Sequence, residues 1–249
     1  MKTIALCLAC GLFINSCLAH QTDTLLNNVQ QKVINAFVEA KISQSDTPLI
    51  TLEQALSVLN EKNKNNIVMY WYSYACYYHS ILLLIQKDLQ GSEKILETGI
   101  KMLQASVSET SEQLALLALM ESFSIQYAPG MEAVSIANRS VKHAEEAIQL
   151  DSTNLRAYYV LGSNDFYTPE QYGGGKKAEG YFKKAVSLPD QSIRNPYLPS
   201  WGKNSAYEML IRFYIRQHQY DQAKAFYQQA IAIFPNDYMI SRLAGELTN

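Results

Sequence analysis

The sequence predicts an all-α fold, a right-handed α-α superhelix of about eleven antiparallel helices. Three observations lead there. A pattern of small and aromatic residues between Tyr158 and Ala185 returns between Tyr207 and Pro235. Apolar residues fall at helical spacing along most of the remaining chain. No stretch of strict apolar alternation is long enough to make a strand.

The elements follow in order. Lys2 precedes an apolar run from Ile4 to Ile14, and Cys17-Leu18-Ala19 offers the small residues at which a signal peptidase cuts. Residues 1–19 are therefore expected to be a cleaved signal peptide. The run is far shorter than the ~20 residues that span a bilayer, so no transmembrane span is expected after cleavage. Cys17, preceded by Ile14-Asn15-Ser16, also approximates a lipid-attachment box, and a lipid anchor at Cys17 is the alternative fate. Cleavage removes Cys7, Cys10 and Cys17 and leaves Cys76, which excludes an internal disulfide. Cys76 and His79 supply at most two metal ligands, too few for structural zinc, so no metal site is expected. With 21 basic and 23 acidic residues and no basic block, nucleic acid is not an expected partner.

Residues 20–249 are read as a single helical domain. Leu25, Leu26, Val29, Val33, Ile34, Phe37 and Val38 give an amphipathic entry helix over Leu25–Ile42. Ser43–Pro48 breaks it, Thr51 with Gln54 is placed to cap the next helix, and Asn60–Asn66 is a polar hinge. The helix over Val68–Leu89 carries Tyr70, Trp71, Tyr72, Tyr74, Tyr77 and Tyr78, which at ~100° per residue spread around most of its circumference. Such a helix is either sandwiched or lines a groove, and in a groove Tyr70 and Tyr74 are the first candidates for partner contact. Helices over 92–102, 111–127 and 131–150 follow, with a turn at Pro129-Gly130. Asn154 is placed to cap the next helix after Asp151.

The repeats occupy the C-terminal half. Tyr207, Leu210, Ile211 and Tyr214 precede Ala223, Tyr227, Ala230 and Pro235; earlier, Tyr158, Leu161 and Gly162 precede Ala178, Phe182 and Ala185. Gln171–Gly175 accounts for the longer spacing of the earlier copy. Ala144 and Ala147 belong to a third copy. The clearest repeats are about 121–152, 155–190 and 204–237. Pro189, Pro196 and Pro199 make 188–202 a loop. Asp237–Leu247 is placed to cap the last open face.

This pattern resembles the tetratricopeptide repeat (TPR) family, whose signature has small residues where helices approach closely and a late Pro in a period of ~34 residues. A narrower likeness rests on Asn154-Leu-Arg-Ala157, the segment from Tyr167 through Pro169, Tyr172, Gly173 and Gly174 to Lys176, and Pro199-Ser-Trp-Gly202. It is similar to bacterial envelope TPR proteins in which a Pro-x-x-aromatic-Gly-Gly insertion splits the two helices of a repeat, and to TPR accessory subunits of tripartite periplasmic transporters. The resemblance implies a periplasmic protein, or an outer-membrane lipoprotein, that binds a partner and has no catalytic residues.

Readings that would imply chemistry are weak. Gly173, Gly174, Gly175 and Lys176 suggest a phosphate loop, but Glu170 stands where its first glycine belongs and no strand precedes it. What remains is an anion-binding turn made of free backbone amides and Lys176. Cys76 and His79, three residues apart on one helix, lack an evident orienting carboxylate. His143 and Glu146 read as a solvated face, and His218 as a helix-end residue. No HExxH or GxSxG motif occurs. Asn138-Arg139-Ser140 fits a glycosylation sequon in a helical setting.

The expectation is a non-enzymatic module without a cofactor that recognises an unknown envelope protein or peptide along the first helices of its pairs. Arg156, Tyr159 and Asn164, then Asn204, Glu208 and Arg212, are the expected outward contacts. The alternative is a small-ligand-binding accessory of an envelope transport system, its pocket enclosed by the Tyr70–Tyr78 cluster and the Pro169–Lys176 insertion.

Overall fold

Eleven α-helices, five of them opened by a polar side-chain cap, lie among the residues described in the computed structural model, 24–106, 109–190 and 197–247. Between the helices lie short 3-10 segments, and the described residues contain no strand. The expected signal segment 1–19, with Cys17, lies outside the described residues, as does Pro196. The chain divides into two compact units, residues 1–106 with 195–198, and residues 107–194 with 199–249.

The first unit contains α1 (Val29–Ser43), α2 (Thr47–Asn63), α3 (Asn66–Ile85) and α4 (Leu89–Gln104). Consecutive helices pack as antiparallel pairs, and α1 also packs on α3. Their seam holds Val33, Leu49, Leu56, Val68, Leu82 and Leu96, all essentially without exposure. Several boundaries differ from expectation. The expected hinge Asn60–Asn66 is mostly helical, since α2 runs to Asn63 and α3 starts at Asn66, leaving Lys64 and Asn65 between them. Pro48 does not break a helix but sits in the first turn of α2, where its fixed φ fits and its missing N–H costs nothing. Asp46 therefore takes the N-cap position expected of Thr51, whose hydroxyl donates to the Thr47 carbonyl instead. The aromatic helix stops at Ile85, since Lys87 turns left-handed (φ 68°) and the Asp88 carboxylate accepts from the Gly91 amide at 2.9 Å to start α4.

The second unit contains α5 (Ser111–Ser124), α6 (Gly130–Leu150), α7 (Leu155–Tyr167), α8 (Ala178–Ser187), α9 (Lys203–Arg216), α10 (Tyr220–Ile233) and α11 (Tyr238–Ser241). The pairs are α5 with α6, α7 with α8 and α9 with α10, and the first helices of neighbouring pairs also touch. A capping box opens α5, with Thr110 and Gln113 each accepting the other's backbone amide at 3.2 Å. Asn154 caps α7 as expected, accepting from the Arg156 amide at 3.0 Å.

Small residues set the helix spacing. Ala144, Ala147, Ala178, Ala185, Ala223 and Ala230 have no exposed surface. At Gly162 a side-chain carbon would lie 2.6 Å from the Phe182 ring, so the two helices of this pair can approach only because Gly162 has none. The matching place in the last repeat holds buried Ile211, which is tolerated because Tyr227, the counterpart of Phe182, is only partly buried against the same cluster. Ile240, Leu243 and Leu247, from α11 and the 3-10 turn after it, close that cluster as the expected cap.

Candidate functional site

The accessible parts of α7 and α9 in the second unit are the candidate binding face. Tyr159 and Asn164 on α7, and Asn204, Glu208 and Arg212 on α9, are all half-buried, so each presents part of its side chain to solvent. The two helices are neighbours. Glu208 and Arg212, one turn apart, pair at 2.9 Å, and Arg212 also lies 3.9 Å from Glu246. Burial pushes the Glu208 carboxyl up and Arg212 pulls it down; the net direction is upward. The Asn204 amide donates to Asp237 at 2.7 Å, tying α9 to the cap. Asn164 donates to Ser140 at 2.8 Å and accepts from Ser122 at 2.5 Å. Tyr159 meets the Trp201 ring edge to face at 6.5 Å. The face is thus partly held in place by its own hydrogen bonds.

Arg156 does not belong to it. The side chain expected to point outward is completely buried. Its guanidinium grips both oxygens of Glu112 on α5 at 2.5 Å, donates to the Trp201 carbonyl at 3.1 Å, and lies 5.8 Å from the Trp201 ring centre. A planar fork facing a carboxylate suits this role, and no solvent-facing donor is left over. Arg156 is an internal clasp joining α5, α7 and the Pro199-Ser-Trp-Gly202 segment.

The glycine-rich turn is also internally occupied. The Gly173 amide donates to Glu170, Gly174 to Pro169 and Gly175 to Asp165, all through carbonyl oxygens. The Asp165 carboxylate accepts from both the Lys177 and Ala178 amides at 2.8 Å. The glycine amides expected to be free for an anion are taken by backbone carbonyls, and the Lys177 and Ala178 amides that follow are taken by the Asp165 carboxylate. Gly174 is required because a side-chain carbon there would lie 1.9 Å from the Thr168 carbonyl oxygen. Lys176 stays exposed, as do Tyr167 and Tyr172 at 70% and 75%.

In the first unit, Tyr70 and Tyr74 are 4% and 2% exposed, which makes them core rather than groove wall. Tyr74 packs edge to face on Trp71 and Tyr78, and its hydroxyl lies 3.3 Å from that of Tyr78. The Trp71 indole donates to the Tyr197 carbonyl at 3.1 Å. Beside them Cys76 is fully buried, and desolvation raises its thiol well above the ordinary range, with the Glu53 charge adding to the rise. His79 does have an orienting carboxylate, Glu53, at 2.9 Å, contrary to the reading from sequence. Yet a buried thiol held in its protonated form is not an activated nucleophile. A shallow depression of about 580 Å³ on this unit is lined by Lys32, Asn35, Glu39, Thr47, Pro48 and Thr51 among others, with no aromatic residue. His143, expected to face solvent beside Glu146, instead meets buried Glu121 at 2.8 Å, with Arg139 at 3.4 Å from the same carboxylate.

No group of three or more metal-ligating side chains comes together among the described residues, and no helix there is long and apolar enough to cross a membrane.

No protein-family model matches the chain, and no curated protein does. Solved structures do. TTC0263, a thermophilic TPR protein from Thermus thermophilus, superposes with a TM-score of 0.57 at 14% identity, over 89% of this chain and all of that one. The fold is TPR-like. The HusA haemophore from Porphyromonas gingivalis superposes with a TM-score of 0.53 at 22% identity, over 74% of this chain and 92% of that chain. At these identities the likeness is one of fold.

Proposed function

We propose that this chain is a non-enzymatic binding module of the bacterial envelope that holds a partner protein or peptide against the accessible face of α7 and α9. The observation that carries the reading is the contrast on those helices. Their small residues and Phe166, Tyr207, Phe213 and Tyr214 are spent on packing, whereas Tyr159, Asn164, Asn204, Glu208 and Arg212 stay half-exposed on neighbouring helices. A tyrosine ring on α7 and a Glu–Arg pair on the neighbouring α9 suit an extended segment with both apolar and charged side chains. The signal-like sequence of residues 1–19 supports a site of action in the periplasm, or at the outer membrane if Cys17 carries lipid. The mass of the mature N-terminus distinguishes the two fates.

The test is affinity capture from cross-linked envelope extract, comparing the mature chain with Tyr159→Ala/Arg212→Glu. Loss of a specific protein in the variant supports the reading. A captured set that is the same for both sinks the assignment of this face.

A second reading is a flat, apolar small ligand such as haem. It is favoured by the fold likeness to HusA, described as a haemophore, together with the exposed Tyr167 and Tyr172 at the insertion. A tyrosine ring can stack on a porphyrin, and its oxygen can ligate haem iron. Absorbance titration with hemin decides: a saturable Soret shift lost in Tyr167→Ala/Tyr172→Ala supports it, and an unsaturable spectrum rejects it.

A further inference from the structure

In the first unit His79, on α3, is buried against α2 with a carboxylate at each ring nitrogen. Its Nδ1 is 2.9 Å from Glu53 Oε1, and its Nε2 is 3.6 Å from Asp46 Oδ2. Glu53 is itself buried. Asp46 occupies the N-cap position of α2 but makes no side-chain capping bond, so its carboxylate is not committed to the helix end. Nε2 has no partner within hydrogen-bond distance. A neutral imidazole has one N–H and must turn a bare nitrogen lone pair toward one of the two carboxylates; only the imidazolium offers both a donor. Carboxylates on both sides of a buried ring are therefore built for the charged form.

We propose that His79 is a proton-operated clasp, which as imidazolium holds α2 to α3 through Glu53 and Asp46 and which loosens that pair when its proton leaves.

The groups around it agree. Burial alone would push the imidazole down, but the Glu53 hydrogen bond and charge, and then Asp46, outweigh it and leave His79 above its ordinary value of 6.5. Both of these charges come from α2. On its own helix the neighbouring Tyr72 and Cys76 are held in their neutral forms by burial. A raised folded-state value means the stabilisation is complete below about 6.5 and disappears as pH rises through the folded-state value. The clasp is therefore closed in mildly acidic surroundings and released toward alkaline pH.

The test uses the whole mature chain. Imidazole proton signals are followed by NMR from pH 5 to 9, with His79 assigned through His20→Gln, His143→Gln and His218→Gln. The urea midpoint is measured over the same range in a His143→Gln background, with and without His79→Gln. A His79 midpoint above 6.5, with a urea midpoint that falls as pH rises and flattens in His79→Gln, is the expected result. A His79 midpoint at or below 6.5, or a pH slope unchanged by His79→Gln, overturns the proposal. If His79→Gln does not fold, the NMR midpoint of the unsubstituted His79 decides alone.

Discussion

Replacing Arg156 by Met tests whether this residue is an internal clasp or a binding contact. The substitution keeps an unbranched apolar stem of similar reach but removes the guanidinium, leaving the Glu112 carboxylate and the Trp201 carbonyl without their donor. Breaking a buried ion pair from one side costs about 3–5 kcal/mol. Because the Glu112 side chain keeps 12% of its exposure, water recovers part of the loss. The expected destabilisation is about 3 kcal/mol, the low end of that range. In Arg156→Met/Glu112→Leu no buried charge is stranded, and most of the loss should return, since replacing a whole buried pair by apolar residues is often neutral. Urea denaturation with circular dichroism and tryptophan fluorescence measures both variants, and Trp201 reports locally because it stacks on Arg156. A loss below about 1 kcal/mol for Arg156→Met, as for an exposed pair, would refute the reasoning.

Four further outcomes follow from the packing and the buried polar contacts. Gly162→Ala should lower the melting temperature, because overpacking against Phe182 costs about 1–3 kcal/mol and the helix-propensity gain returns only about 1. Gly180→Ala, with nothing within 4 Å of the added carbon, should raise it. Asp165→Ala removes the acceptor of two amides at the start of α8 and should cost about 1–2 kcal/mol, with faster hydrogen exchange at Lys177 and Ala178; unchanged exchange contradicts the capping role. The His143 imidazole is raised mainly by its hydrogen bond to Glu121, which outweighs burial. The His143 contribution to the stability of the second unit should therefore be complete below about pH 6.5 and be lost as pH rises through the raised value, a slope that His143→Gln should remove.

The repeat half was legible because its rules are local. Alanines three and seven residues apart, a glycine one helix away from a phenylalanine, and Asn154 ahead of an apolar run all mark features made within one hairpin. The insertion could be located by counting, but its content could not. Asp165 reaches across 13 positions to the Ala178 amide, so the turn that looked open to an anion is closed. Long-range partners escaped in the same way. Arg156 meets Glu112 across 44 positions, His79 meets Glu53 across 26 and His143 meets Glu121 across 22. From sequence each reads as exposed or unsupported, because a polar residue on a helix is ordinarily solvated. The signal that could have revealed them is polarity inside an apolar stretch: Glu121 closes the run Leu114–Met120, every residue of which is buried. The aromatic helix was ambiguous for a different reason, since rings spread around a helix fit a core as well as a groove until its neighbours are known.

Site-specific photocross-linking tests the central claim most directly. A photoreactive residue is placed at Tyr159, at Glu208 and, as a control on α6, at exposed Lys142, and the mature chain is irradiated in envelope extract. One common partner is expected to be trapped from positions 159 and 208 and not from 142. Trapping from 142 alone, or equally from all three, would contradict a binding face on α7 and α9.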